Sequence, residues 1–283
     1  MPFEPASSGP SADLRPRARD FFRPFVFAAL LATVALASCS DDPTGPENGG
    51  EPNGAGESYN HLLAPGESAR DFLADDAFDR LVVQIQYIGE FEPTQGGLQQ
   101  LQDFLEARLH KKPSGIEIQV DAQPLAVESQ ETYSAQDVRA LEDEHRTAYT
   151  EGSTLAAYFL YLDGEWERNA DVLGIAYRNT SMALFAETIA ENTNGVLQPS
   201  PSRTDVEAVV AKHEVGHILG LVDNGTEMQR DHRHENHGPH CENDRCLMYY
   251  AVRLGNFLSE FLEGGMPELD EDCLNDLRAN GGK

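Results

Sequence analysis

The pattern of apolar and polar positions between residues 81 and 185 predicts several strands of one sheet. Residues 81–91 (LVVQIQYIGEF) and 115–120 alternate apolar and polar side chains, which is typical of half-buried strands. Residues 154–162 are strongly apolar and aromatic, as expected of a central strand covered on both faces. Residues 173–185 (LGIAYRNTSMALF) indicate a further extended segment or edge strand.

Helical spacing predicts four helices around these strands. Residues 97–109 place their apolar side chains on one helical face, and residues 134–149 begin with a serine followed by helical spacing. Further helices are expected at residues 204–221 and near 268–278. The order of elements predicts an α/β (α+β) fold, with a mixed twisted sheet, an active-site helix at 204–221 and a C-terminal helical subdomain.

The N-terminus of the chain has the features of an export signal. Four arginines precede an apolar run of 13 residues, Phe25 to Ala37, which is too short for a typical membrane-spanning helix and suits a signal-peptide core. The run ends in Leu-Ala-Ser-Cys39, which resembles the bacterial lipobox, in which the cysteine carries the lipid. A plain secretory signal or an N-terminal membrane anchor is the alternative interpretation.

These features divide the chain into three parts. Residues 1–38 are predicted to be a lipoprotein signal peptide, and residues 39–58, rich in Gly, Pro and acids, a disordered linker. Residues 59–283 are predicted to form one folded domain. The expected location is the cell envelope, outside the cytoplasm in the periplasm or at the cell surface, with the lipid on Cys39 in the membrane.

Charge and cysteine content narrow the possible functions. Acidic residues outnumber basic ones 48 to 21, for a net charge of −27, so no nucleic-acid partner is expected.

Outside the cytoplasm Cys241 and Cys246 could form a disulfide that closes a small loop. Cys273 is the odd cysteine, either buried and free or competing for one of the other two.

The predicted helix at 204–221 carries the sequence His213-Glu214-Val215-Gly216-His217. Histidines four residues apart lie on one helical face and can bind one metal ion, while Glu214 can take a proton from the attacking water and pass it to the leaving amine. The H-E-x-x-H pattern on a helix therefore predicts a zinc site with Glu214 as general base. Thr204 is the expected cap of this helix and Gly220 its stop.

Two features after this motif resemble the metzincin clan of zinc metallopeptidases. Gly220 completes H-E-x-x-H-x-x-G, and Met248 lies in a segment that resembles the Met-turn of that clan. The run His240-Cys241-x4-Cys246-x-Met248 resembles the archaemetzincin ending H-C-x4-C-x-M, which implies His240 as third zinc ligand. Here, however, an insertion separates His240 from Gly220.

The insertion leaves alternatives open for the third ligand. Asp223 stands where most metzincins have theirs, as in the snapalysin variant, and His237 is a further alternative, followed by His232 and His234. Some residues of this His-rich stretch could instead bind a second, structural metal. A second zinc site of the archaemetzincin kind is not expected, because the downstream Cys-x-x-Cys pair is missing.

Two functions are consistent with the sequence. The first is a zinc-dependent endopeptidase that hydrolyses extracytoplasmic proteins or peptides. The second is a non-catalytic, lipid-anchored protein that binds zinc or a partner through its histidines. Glu214 separates the two, because only an enzyme needs a base beside the metal ligands.

Overall fold

The computed structural model describes residues 58–193, 201–253 and 265–283. The predicted signal peptide, Cys39 and all of the linker except its last residue lie outside the described residues, so these assignments stay predictions. Of the helices that the structure describes, none has both the length and the apolarity needed to cross a membrane.

The described helices and strands largely follow the predicted order. The strands are β1 (Arg80–Tyr87), β2 (Ile116–Val120), β3 (Thr132–Tyr133), β4 (Thr154–Leu162), β5 (Glu165–Trp166), β6 (Gly174–Arg178) and β7 (Ser181–Phe185). The helices are α1 (Ala69–Leu73), α2 (Gln95–Arg108), α3 (Ala135–His145), α4 (Ala186–Thr193), α5 (Arg203–Ile218) and α6 (Glu271–Ala279), with a 3-10 turn at Tyr250–Arg253.

The main sheet has five strands in the order β2-β1-β4-β7-β6. Its first four strands are parallel, and β6 runs antiparallel to β7 at one edge. Strands β3 and β5 form a separate parallel pair. The mixed α/β sheet predicted from the sequence is therefore confirmed.

Different helices cover the two faces of this sheet. On one face Phe159 of β4 belongs to a core cluster with Leu101 of α2 and Val210 of α5. On the other face its neighbour Tyr158 packs in a second cluster with Val138 of α3. Because successive strand residues point to opposite faces, both kinds of position in β4 are buried, which explains its nearly continuous apolar sequence.

Residues 173–185 form two strands, so the prediction of one extended segment is wrong. The chain reverses at Asn179 and Thr180, and β7 lies inside the sheet while only β6 is at the edge. The side-chain amide of Asn179 is buried and donates hydrogen bonds to the carbonyl of Asn60 at 2.9 Å and to the hydroxyl of Ser68 at 2.8 Å. These contacts with a distant segment fix a turn inside an otherwise apolar run.

A buried group of charges ends α3 earlier than the predicted residue 149. After His145 the backbone of Arg146 is extended, with φ −63° and ψ 130°. Its guanidinium lies 2.7 Å from the carboxylate of Glu142, which also lies 3.0 Å from the guanidinium of Arg178. All three side chains are at least nine-tenths buried, so this network fixes where the helix stops.

His61 lies beside these charges and is held in its neutral form. Its Nδ1 lies 3.1 Å from the hydroxyl of Thr180, and its Nε2 accepts a hydrogen bond from the backbone N–H of Thr150 at 3.4 Å. Burial, followed by repulsion from Arg146 and Arg178, lowers the pKa of His61 from 6.5 to about 3.

Replacing His61 by Asn is expected to destabilise the protein more at pH 7 than at pH 5. The pKa of His61 is lower in the folded than in the unfolded chain, so wild-type stability falls as the pH drops from 6.5 towards 3. The variant lacks this loss, and the difference in unfolding free energy should shrink on acidification. Urea denaturation at both pH values measures it, and a constant difference would contradict a buried neutral histidine.

Candidate metal centre

Helix α5 carries the H-E-x-x-H motif and is buried from Val206 to Ile218. Its N-cap is Ser202, whose hydroxyl accepts a hydrogen bond from the backbone N–H of Asp205. The predicted cap, Thr204, is therefore two residues too late in the sequence. Glu207 ties the helix to α2, because its carboxylate accepts hydrogen bonds from the N–H and hydroxyl of Thr94 at 2.8 and 2.7 Å. The motif therefore rests on a rigid, packed element.

His213 and His217 face each other on this helix. Their Nε2 atoms lie 3.2 Å apart, and both side chains are buried. Two nitrogens that each lie about 2.0–2.1 Å from one tetrahedral zinc ion are about 3.3 Å from each other. The separation of the two imidazoles therefore suits two ligands of a single ion.

The loop that follows α5 brings His240 to this pair. Gly220 has the left-handed φ of 79° with which the chain leaves the helix, in agreement with its predicted role as the helix stop. The ring centroid of His240 lies 5.3 Å from that of His213 and 4.9 Å from that of His217. One nitrogen of each of these three histidines lies within 4.8 Å of the other two, and all three residues are buried.

Backbone carbonyls orient two of the three imidazoles. Nδ1 of His213 donates to the carbonyl of Leu247 at 2.7 Å, and Nδ1 of His240 donates to the carbonyl of His237 at 2.5 Å. A carbonyl only accepts, so each of these Nδ1 atoms carries the proton and Nε2 keeps its lone pair. Such contacts fix the tautomer that a metal ligand requires.

Glu214 lies between the two histidines and against β6. It is buried, and its Cγ and Oε1 would lie 3.0 and 3.2 Å from a Cβ built on Gly174. A side chain at position 174 would therefore push on the carboxylate. A glycine near the start of a predicted strand can indicate that another group packs closely against the backbone there. Nothing in the sequence, however, linked Gly174 to Glu214.

Met248 packs beneath α5 at the glycine of the motif. The side chain is fully buried, and a Cβ built on Gly216 would overlap its sulfur. Gly216 therefore leaves the space that Met248 fills, one residue before His217. This contact places Met248, the residue for which the sequence predicts a Met-turn, against the part of α5 that carries the motif.

Replacing Gly216 by Ala is expected to destabilise the protein by about 1–3 kcal/mol, although Ala favours a helix over Gly by about 1 kcal/mol. The cause is the overlap of the new methyl group with the Met248 sulfur. Denaturant unfolding of the single variants and of Gly216→Ala/Met248→Ala measures the coupling. A Gly216→Ala chain as stable as wild type would contradict the close packing.

The alternative third ligands lie elsewhere. Asp223 is more than half exposed, and its carboxylate lies 2.9 Å from the guanidinium of Arg233. His237 is exposed and stacks on Tyr250, with ring centroids 3.5 Å apart and planes 10° apart. The ring of His234 contacts the same tyrosine at 5.1 Å. None of these belongs to the group of three histidines on α5 and its loop.

A cleft opens onto this group. Its volume is about 220 Å³, and it combines the metal-site side chains with small apolar ones. Asn224, which the sequence did not single out, donates to the carbonyl of His217 at 3.0 Å and so closes the end of α5. The lining residues are Pro65, Ile175, Ala176, Glu214, His217, Asn224, Pro239 and His240.

The cysteines in the described part of the chain do not pair. Cys241, Cys246 and Cys273 are all buried free thiols, so the disulfide suggested between Cys241 and Cys246 is not formed. The sulfurs of Cys246 and Cys273 lie 3.6 Å apart, whereas a disulfide bond is about 2.05 Å long. Two of these thiols, those of Cys241 and Cys273, lie close to a histidine and a carboxylate.

That histidine is His232, which belongs to a second group of metal-type side chains. One donor atom each of His232, Cys241, Asp270 and Cys273 lies within 4.8 Å of the others. Burial lowers the pKa of His232, but hydrogen bonds to Cys241 and Asp276 outweigh this and raise the pKa to about 9.

Comparison with known proteins gives structural likenesses only. No family model matches this sequence, and no curated protein matches it. The structure is similar to an archaemetzincin from Methanopyrus kandleri, with a TM-score of 0.47 and 14% identity, over 71% of this chain and 96% of that one. It is also similar to metalloproteinase-II from Bacteroides fragilis, with a TM-score of 0.39 and 12% identity, over 80% of this chain and 58% of that one. At TM-scores below 0.5 neither likeness assigns an activity to this chain.

Proposed function

We propose that this chain is a zinc-dependent endopeptidase. The observation that carries the proposal is the convergence of three buried imidazoles, from His213, His217 and His240, beside the buried carboxylate of Glu214 at an open cleft. Three protein ligands with a further position left open are typical of catalytic zinc, whereas structural zinc is closed by four.

The donor set fits zinc in kind and in spacing. All three donors are imidazole nitrogens, which suit zinc among the divalent metals, and the Nε2 atoms of His213 and His217 lie 3.2 Å apart. A zinc ion held there would polarise the scissile carbonyl and lower the pKa of water at the open position to about 7. His213 and His240 keep their Nε2 lone pairs for this purpose through their hydrogen bonds to backbone carbonyls.

Glu214 supplies the proton transfers. Its carboxylate takes the proton of the attacking water and later delivers it to the nitrogen of the leaving amine. Glu214 lies on α5 between two of the proposed zinc ligands. This one helix would therefore fix the position of the base relative to the zinc ion. Gly174 keeps the space in which this carboxylate lies.

The substrate is proposed to be an extended polypeptide. Strand β6 is at the edge of the sheet, and two of its residues, Ile175 and Ala176, line the cleft. An edge strand offers unpaired backbone groups to which an extended peptide adds as a further strand. This docking would run the peptide past Glu214 and the histidines.

Metal removal and return test the proposal. The protein should cleave an unfolded protein such as casein, lose this activity when a chelator strips its metal, and regain it when Zn²⁺ is added back. A sample carried through the same dialysis without chelator is the control. Cleavage that survives complete metal removal would contradict a zinc peptidase.

We further propose that the protein acts outside the cytoplasm on a lipid anchor at Cys39. The support is the arginine-rich start, the apolar run and the cysteine that ends it. Expression of the full chain and of Cys39→Ala in a bacterial host, followed by separation of membrane and soluble fractions, tests this. A Cys39→Ala chain that stays with the membrane as wild type does would contradict the lipid anchor.

A further inference from the structure

We propose that a cavity between residues 58–62 and the C-terminal end of α3 is a subsite for an aromatic side chain of the substrate, about four residues from the scissile bond. The proposal rests on the peptidase function proposed above and names a feature of the polypeptides that are cleaved. It places part of the recognition at the end of β6, beyond the histidines and Glu214.

Aromatic and apolar side chains form the walls of this cavity. Its volume is about 410 Å³, within the range of about 300–1,000 Å³ that is usual for ligand pockets. The rings of Tyr59 and Tyr149 pack edge-on against the imidazole of His61, with centroids 4.9 and 5.6 Å away. Among the described residues, the exposed large apolar or aromatic side chains are Leu62, at 69%, and Tyr149, at 54%. Both line this cavity, where a further apolar group would remove them from water.

The charged groups of the cavity compensate one another. The guanidinium of Arg146 lies 2.7 Å from the carboxylate of Glu142. The guanidinium of Arg178 lies 3.0 Å from Glu142 and 2.7 Å from Asp143. Two positive groups thus face two negative ones, and His61 is neutral, so no net charge attracts a charged ligand. An uncharged ring suits these walls best, because aromatic rings pack edge to face or offset on one another.

The cavity and the cleft at the metal centre are lined by the same two stretches of chain. On β6, Ala176 lines the cleft and Arg178 lines the cavity. In the segment before α1, Leu62 lines the cavity and Pro65 lines the cleft. Two positions of a strand span only about 7 Å. The cavity is therefore the neighbour of the cleft along the edge of the sheet.

A β-bulge turns Arg178 to the side of the cavity. Ala176 pairs with Met182 and Arg178 with Ser181, so Tyr177 is an extra residue in β6. Because side chains alternate along a strand, Arg178 would otherwise share the face of Ala176, which packs in the core with α5. With the bulge, one edge strand contributes to the cleft and, two residues later, to the cavity beside α3.

The spacing along β6 predicts which residue of the substrate reaches the cavity. Glu214 lies against Gly174, and Arg178 is four positions further along the strand. Four positions span about 13 Å, and an extended peptide advances by the same distance in four residues. A peptide added to this edge therefore brings to the cavity a residue about four positions from its scissile bond, on one side of that bond only.

The linker of the chain itself does not suit the cavity. Ser58 lines the cavity, and residues 39–57 directly precede it in the sequence. This stretch has no aromatic residue and no Leu, Ile, Val or Met. It therefore has no large apolar side chain with which to cover Leu62 and Tyr149, and we assign the cavity to the substrate.

Cleavage profiles and paired peptides test the subsite. Among the sites that the wild-type protein cuts in a mixture of unfolded proteins, aromatic residues should be enriched three to five positions from the scissile bond, on one side. In a peptide built on such a site, replacing the aromatic residue by Ala should lower kcat/KM about tenfold.

Variants of the two exposed walls locate the preference. In Leu62→Asn and in Tyr149→Asn the difference between the two peptides should fall to about twofold or less. Tyr149→Phe is the matched control, because it keeps the ring, and it should retain the tenfold difference. An unchanged difference in both asparagine variants would overturn the assignment to this cavity.

The failure of the subsite differs from the failure of the peptidase proposal. Cleavage of proteins without aromatic enrichment at these positions would overturn the subsite and leave the peptidase proposal intact. Absence of any cleavage by the metal-loaded protein would overturn both.

Crosslinking locates the side chain directly and does not depend on the folding of the cavity variants. The peptide with benzoylphenylalanine in place of its aromatic residue is irradiated with zinc-loaded Glu214→Gln, and the attachment points are read by mass analysis. We expect them in residues 58–62 and 142–149, and attachment confined to other segments would overturn the subsite. A wild-type dimer in sedimentation that Tyr149→Asn disperses would assign the cavity to a second copy of the chain instead.

Discussion

Replacing Glu214 by Gln is expected to lower the turnover number for peptide cleavage by about a hundredfold to ten-thousandfold, with zinc content unchanged. The amide keeps the size of the carboxylate in the tight space against Gly174 but takes no proton from water. His213 and His217 stay in place on α5, because their positions depend on helix packing and not on this carboxylate. Steady-state kinetics and elemental zinc analysis on the same samples measure both effects.

Glu207→Gln is the matched control for this change. Glu207 is a second buried glutamate of α5, but its contacts are with Thr94 and Arg203, away from the histidines. Its variant should change stability and leave the turnover number of the folded protein close to wild type. Full peptidase activity in Glu214→Gln would refute the assigned base, and a metal-loaded wild type with no peptidase activity would favour the non-catalytic zinc-binding protein.

Replacing His240 by Ala is expected to weaken zinc binding at the α5 site by more than about a hundredfold, beyond the effect of losing an outer-shell contact. The reason is the loss of one of three nitrogen donors at a proposed site whose three candidate ligands are all histidines. Peptide cleavage should fall with it when zinc is limiting. Zinc titration against a competing chelator measures the affinity in the purified protein.

His237→Ala and Asp223→Ala are the controls for the ligand assignment. The contact of His237 with His240 is made by its carbonyl, which a change of side chain preserves, and Asp223 pairs with Arg233. Both variants should therefore keep zinc at the α5 site. Retained zinc and activity in His240→Ala, with loss of both in either control, would overturn the assignment.

The sequence by itself determined the parts of this protein that depend on local periodicity. Strands β1, β2 and β4 and helices α2 and α5 follow from alternation and helical spacing, because burial of one face imposes that pattern. The pairing of His213 with His217 is equally local, since residues four apart on a helix always share a face. Glu214 follows from the same motif.

Only the tertiary structure decided which distant residue joins that pair. Twenty-two residues separate His217 from His240, and several of them are possible ligands, so no local pattern distinguishes them. The left-handed turn at Gly220 and the carbonyl of His237 set the position of His240. Both features belong to a loop, and the conformation of a loop cannot be predicted from the periodicity of apolar and polar side chains.

The cluster of His232, Cys241, Asp270 and Cys273 also depends on the tertiary structure and not on a local sequence pattern. His232 and Cys273 are 41 positions apart in the sequence, and nothing in their spacing links them. They meet because α6 packs against the loop after α5, where Asp276 holds the imidazole. Two cysteines close together in the sequence led to the expectation of a disulfide. Sequence spacing gives only the proximity of residues along the chain, and it does not show in which direction their buried side chains point.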